Sequence, residues 1–152
     1  MAVEVETGRF TVGVFQDIAW ADKGIDALRK QGIAVEAISI LGKASPEMSE
    51  FIERTLGAPQ SLEGHDLGPL MARGPLVAAL QGSDQGLTRS GIAGTMRRVG
   101  FQGHDGRIFH VLTGRGGVLV AIHSEPRAAD ALAVLLSYGG GNAAIGAWTG
   151  RV

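Results

Sequence analysis

The chain has 152 residues, 45% of them hydrophobic, which suits one domain with one good core and argues against disorder of the whole chain. Its formal charge of −1 supplies no overall positive field for DNA or RNA, and the densest basic group, Arg89, Arg97 and Arg98, has no interleaved aromatics, so nucleic acid is not an expected partner. The absence of cysteine excludes disulfides, thiolate metal sites and a cysteine nucleophile.

The opening stretch, Met1 to Gly8, is acidic where a secretory leader would be basic, and no apolar run approaches the ~20 residues of a membrane span. A cytoplasmic protein without membrane insertion is the expectation. Phe10 to Phe15 is rich in β-formers and predicts a strand. Asp17 can cap the following helix, in which Ile18, Ala21, Ile25 and Leu28 recur on one face. Asp26 and Lys30 can pair on the outer face, Gly32 stops the helix, and Val35 to Leu41 reads as the next strand.

The far end of the chain repeats this plan. Gly117 to His123 predicts a strand, and Ser124 with Pro126 opens a helix whose inner face is Ala128, Leu132 and Leu135. Gly139 to Gly141 ends that helix, and Asn142 to Trp148 is a weaker final strand. The halves align in one ungapped register: Ala21 on Ala128, Leu28 on Leu135, Gly32 on Gly139, Ala37 on Ala144 and Ile38 on Ile145. The matches fall at core-facing and chain-reversing positions. Two βαβ units, residues 9–42 and 117–149 of a single domain spanning 1–152, predict a ferredoxin-like split βαβ sandwich of the α+β class. Two ordinary βαβ units that match by chance are the competing explanation.

Residues 44–116 form a long, glycine-rich central insertion, too long for a plain loop. Ser45 and Pro46 begin a helix carrying Met48, Phe51, Ile52 and Leu56. Residues 58–74 read as loop, and the apolar run Pro75 to Leu80 fits either strand or helix. Residues 82–99 read as a helix with Gly82, Gly86, Ser90 and Gly94 on one stripe, a pattern that permits close packing. Asp84 and the three arginines make that helix a poor membrane span. His104 to Thr113 predicts a further helix with Ile108, Phe109 and Leu112 turned inward.

Taken together, the segments Thr11-Val-Gly-Val-Phe, Ala21-Asp-Lys-Gly-Ile-Asp-Ala-Leu, Ala37-Ile-Ser-Ile-Leu-Gly, Gly74-Pro-Leu-Val-Ala-Ala-Leu, Arg115-Gly-Gly-Val-Leu-Val-Ala-Ile and Ala128-Ala-Asp-Ala-Leu resemble the bacterial general-stress-protein family of heat- or low-temperature-induced proteins. The resemblance runs from about Phe10 to Trp148 and rests on structural motifs. It implies a stress-associated role without an established reaction, and therefore no catalytic residues and no cofactor. The middle of this chain is less apolar than the glycine-zipper stretches of some members, which argues against carrying over membrane association.

Chemistry-bearing residues are sparse. His104 and His110, with Asp105 between them, are weak metal candidates, because a spacing of six does not bring both histidines to one helical face. Exposed or capping histidines are the plainer reading. The turn Gly114-Arg-Gly-Gly117 precedes a strand, whereas a phosphate loop follows one. If the first strands of the two units are adjacent and parallel, then Gln16 and Asp17 meet His123, Ser124 and Glu125 where two helix N-termini start. That would form an anion or polar-ligand site, unless Asp17 and Glu125 simply cap their helices.

Three functional classes are compatible with these features: a stress-associated binding or interaction protein without catalysis of its own, a small dimeric α/β-barrel enzyme, and a ligand-sensing regulatory domain. The strands are apolar on both faces and demand cover on both. The insertion could supply it. Otherwise a homodimer would bury the sheet face bearing Phe15, Val120 and Ile122.

Overall fold

The computed structural model describes residues 10–123, 133–134 and 144–146. Strand β1 (Phe10–Phe15) leads through Asp17 into helix α1 (Ile18–Lys30). Asp17 caps α1 as its pattern predicts, its Oδ1 accepting from the Trp20 N–H at 2.9 Å. Ala21, Ile25 and Leu28 are buried, and Asp26 and Lys30 pair at 3.1 Å in solvent, where such a pair contributes little. A short 3-10 turn, Val35–Ala37, enters β2 (Ile38–Lys43). Helix α2 (Pro46–Thr55) follows, with Ser45 Oγ accepting from the Met48 N–H at 3.0 Å.

The insertion adds more regular structure than its composition predicts. Residues expected as loop form a hairpin, β3 (Gln60–Gly64) and β4 (Gly68–Arg73), turning at Asp66 with φ +67°. The glycines and Pro69 disguise the alternation, but Leu62 opposes Leu70 and both face the core. Pro69 sits at the start of β4, where its carbonyl still accepts from the Ala44 N–H at 3.0 Å. The ambiguous run becomes helix α3 (Pro75–Gln81).

The single helix expected over 82–99 is broken. A turn precedes α4 (Gly86–Thr95), and a 3-10 segment, Met96–Val99, follows it. Gly91 adopts φ +76°, ψ −176°, a conformation that L side chains rarely take, and kinks α4 in the middle. Helix α5 (Gly103–Gly114) lies where His104 to Thr113 predicts a helix, and β5 (Val118–His123) returns to the sheet. Strand β6 (Ala144–Gly146) falls inside the expected final strand. The expected helix of the second unit lies outside the described residues, except for Ala133 and Val134, which are helical.

All six strands join one sheet in the order β3-β4-β2-β5-β1-β6, and every neighbouring pair is antiparallel. The two terminal units therefore share a sheet and interleave, β5 lying between β1 and β2. The expectation that β1 and β5 run parallel is corrected: Phe10 opposes His123 and Phe15 opposes Val118. Both β1 and β2 pair antiparallel with β5, so those two run in the same direction with β5 between them.

Successive residues of a strand point to opposite faces. On one face Phe15, Ile38, Ile40, Val118, Val120 and Ile122 pack with α1 and α2 through Ala21, Ile25, Leu28, Phe51 and Ile52. On the other face Val12, Val14, Leu41, Leu119 and Ala121 pack with α3, α4 and α5 through Leu76, Leu80, Ile92 and Phe109. Each of these side chains larger than alanine contributes roughly 1.5–3 kcal/mol on burial. The face proposed for a homodimer is thus covered by the chain's own helices, and Phe15, Val120 and Ile122 are each 0% exposed. The apolar strand pattern carries no argument for pairing through that face. Among the described residues, no helix is long and apolar enough to cross a membrane.

The glycine stripe works differently at its two ends. A Cβ on Gly86 would lie 2.4 Å from the Leu80 carbonyl oxygen and 2.7 Å from Arg98 Nη1. Arg98 grips Asp84 with both nitrogens, at 2.9 and 2.6 Å, and donates to the Leu80 carbonyl at 3.0 Å. The neighbour that needs the absent side chain is therefore a forked guanidinium and a helix C-terminus. Gly94 is exposed, and a Cβ there would lie 2.7 Å from Ser90 Cβ in the same kinked helix. Alanine at either position should destabilise by overpacking, by about 1–3 kcal/mol. Ser90→Gly should relieve the Gly94→Ala defect and leave the Gly86→Ala defect unchanged, as read by double-mutant cycles in urea.

Arg98 holds the Asp84 carboxyl below its ordinary range, chiefly through their hydrogen bonds. A lowered folded-state value contributes stability that is fully present above the unfolded value, near pH 4, and is lost as pH falls through the lowered one. The stability difference between the wild type and Asp84→Asn should therefore narrow as denaturant melts are taken from about pH 5 to about pH 2. A third expectation concerns Ser39, buried in β2, whose Oγ accepts from the Leu76 N–H at 2.9 Å at the start of α3. Ser39→Ala leaves that buried donor unpaired and should cost about 1–3 kcal/mol in urea unfolding.

Candidate functional site

The antiparallel register separates the residues expected to form an anion site. Gln16 and Asp17 follow the end of β1 that lies beside Val118, whereas His123 lies at the other end of the same strand pair, stacked on Phe10 with ring centroids 4.5 Å apart. Five residue steps along a strand separate the two ends by roughly 17 Å. Ser124 and Glu125 lie outside the described residues.

Two helix N-termini do meet near Asp17, but they are those of α1 and α2, which follow the like-directed strands β1 and β2. A groove of about 570 Å³ between them is lined by Asp17, Ile18, Lys43, Ser45, Met48 and Gly116. Its polar groups are largely spent on the fold. Asp17 and Ser45 cap their helices, and Lys43 Nζ donates to the Gly114 carbonyl at 3.1 Å. The Asp17 carboxylate already occupies the positive end of α1 and opposes a second anion there.

The histidines also take separate places. His104 and His110 both lie on α5, six residues and therefore roughly 240° apart around the helix axis. His104 is exposed, whereas His110 Nδ1 is buried without a hydrogen-bond partner among the described residues. The His110 ring and the His65 backbone approach Gly91, so the kink in α4 makes room for both. The His65 ring lies 3.5 Å from Asp66, in solvent. Among the described residues no three histidines, aspartates or glutamates gather as metal ligands.

A smaller pocket lies at the opposite end of β2 from the α1–α2 groove. It encloses about 450 Å³ between the 3-10 turn, the C-terminus of α2 and the hairpin, with Val35, Ile38 and Leu56 as apolar lining and Glu36, Gln60 and Arg73 as polar groups. Arg73 ends β4 directly opposite Ile40, on the sheet face that α2 covers. Exposed arginines are ordinarily mobile, but this one is held in two ways. Its Nη1 donates to the Ala58 carbonyl at 2.8 Å, and its guanidinium lies against Gly57, where a Cβ would come within 3.2 Å of it. The carbonyl end of α2 nearby favours a cation.

Glu36 lines the same pocket as Arg73, yet the two form no ion pair, and neither has another charged partner among the described residues. By contrast, the pairs Arg54–Asp22 and Arg98–Asp84 are closed at 3.2 and 2.6 Å. The pocket thus presents a positioned cation and, among the described residues, an unpaired carboxylate beside the apolar Val35 and Leu56. It contains no nucleophile with an adjacent base.

Sequence reasoning singles out neither Arg73 nor Glu36. Arg73 belongs to a segment that reads as loop, and its signal would have been the alternation of Leu70 and Ala72 before Gly74. Glu36 resembles an ordinary solvated residue until the 3-10 turn carries it to the pocket rim. No protein-family model, curated protein or solved structure matches the chain.

Proposed function

We propose that this protein is a binding module without a reaction of its own, which holds a small organic acid in the pocket beside Arg73. The observation that carries the reading is the tethering of Arg73 by the Ala58 carbonyl beside Gly57, at the edge of a pocket lined by Val35 and Leu56 as well as by polar groups. A guanidinium held in place loses little freedom on meeting a carboxylate, and its remaining N–H groups suit one. The stress-associated role implied by the family resemblance is proposed with it.

The strand order β2-β5-β1-β6 supports a ferredoxin-like reading of the core, with the β3–β4 hairpin as an extension at the edge of β2. The dimeric α/β-barrel enzyme is disfavoured on packing grounds. Such an enzyme needs a lumen against an open sheet face, and here Leu76, Leu80, Ile92 and Phe109 fill the face that α1 and α2 leave free.

Thermal denaturation of the full chain against a panel of small carboxylates tests the reading. At least one carboxylate should raise Tm in a concentration-dependent way, by mass action on the folded state. Arg73→Gln should abolish the rise while keeping the unliganded Tm within about 2 °C. A flat response across the panel, or a rise that survives Arg73→Gln, ends the proposal.

A further inference from the structure

Glu36 has no role in the reading above, and its position narrows the ligand. It lines the same pocket as Arg73, yet the two opposite charges do not close on one another. The reason lies in the backbone. Arg73 is bound to the Ala58 carbonyl at 2.8 Å and lies beside Gly57, while Glu36 belongs to the Val35–Ala37 turn that enters β2. Opposite charges in solvent gain little from pairing, so a tether of this kind is enough to hold them apart. Between them lies a pocket of about 450 Å³, a size that suits a small molecule. Its apolar surface comes from the half-buried Val35 and Leu56.

Resting on the binding reading above, we infer that the ligand is a zwitterion, a small amino acid with an aliphatic side chain. Its carboxylate meets Arg73, its ammonium group meets Glu36, and its side chain lies over Val35 and Leu56. An ammonium group is the complement that a lone carboxylate at the rim selects, and a ligand lacking it would leave Glu36 facing only solvent. A ligand with two acidic groups would place like charges together at Glu36, which discriminates against dicarboxylates. Gln60, at the mouth, has both donors and an acceptor for either polar end.

Isothermal titration of the full chain with three matched probes separates the alternatives. Leucine carries both charges, 4-methylpentanoate lacks the amine, and 3-methylbutylamine lacks the carboxylate. Leucine should bind roughly ten-fold or more tightly than either partial probe. Glu36→Gln should reduce leucine binding to the level of 4-methylpentanoate and leave 4-methylpentanoate itself unchanged, whereas Arg73→Gln should abolish both. Both residues are exposed, so the variants should fold, and far-ultraviolet circular dichroism checks this. If 4-methylpentanoate binds as tightly as leucine, or Glu36→Gln leaves leucine binding intact, the zwitterion inference is overturned while carboxylate binding at Arg73 stands. If no carboxylate binds, with or without the amine, both readings fail together.

Discussion

The three strands at the centre of the molecule, β1, β5 and β2, are buried on both faces, and most of the architecture answers to that constraint. Alternation along Val118 to Ile122 sends Val118, Val120 and Ile122 to one core and Leu119 and Ala121 to the other, and each of these is at most 1% exposed. A strand of this kind cannot leave either side to water without losing a large share of the folding free energy. Helices α1 and α2 cover one side. The part of the chain between β4 and β5 covers the other, with α3, α4 and α5 acting as a second helical layer.

One buried polar group adds to the apolar contacts that attach that layer. Ser39 points to the α3 side of β2, between neighbours that are otherwise apolar, and accepts the Leu76 N–H from outside the helix. The sheet thus caps α3, because Gly74 precedes Pro75 and has no side chain to do so. Gly74 itself, at φ +124°, packs so closely on β2 that a Cβ would lie 2.5 Å from Ser39 Cα. The same turn ends β4 and borders the pocket, so the bond that docks the insertion also helps to place Arg73.

Filling both sheet faces leaves binding to the periphery. The wide groove at the start of α1 and α2 has its cap side chains engaged, whereas the pocket at the far end of β2 holds two charges that the fold positions and does not pair. The pocket lies where the hairpin extends the sheet beyond β2 and α2 ends at Thr55. A binding function carried there would be separable from stability, since Arg73 and Glu36 are exposed and contribute little to either core.

Much of the terminal architecture was legible in the chain itself. The caps Asp17 and Ser45, the helix face of Ala21, Ile25 and Leu28, and the apolar strands follow from local spacing and capping chemistry, which a few neighbouring residues determine. The requirement for two covered faces was legible too, because alternation along a strand is local. What the sequence could not decide was non-local. Only the register of β1 against β5 decides that Asp17 and His123 lie at opposite ends of a strand pair, since strand direction is set by connections across the sheet. Only the kink at Gly91 and the grip of Arg98 on Asp84 show what the glycine stripe accommodates, because a glycine fits many neighbours and names none. The pairing of β4 with β2 brings Arg73, inside a segment that reads as loop, to the same pocket as Glu36, which lies well before it in the chain. That meeting depends on tertiary packing, and no local pattern encodes it.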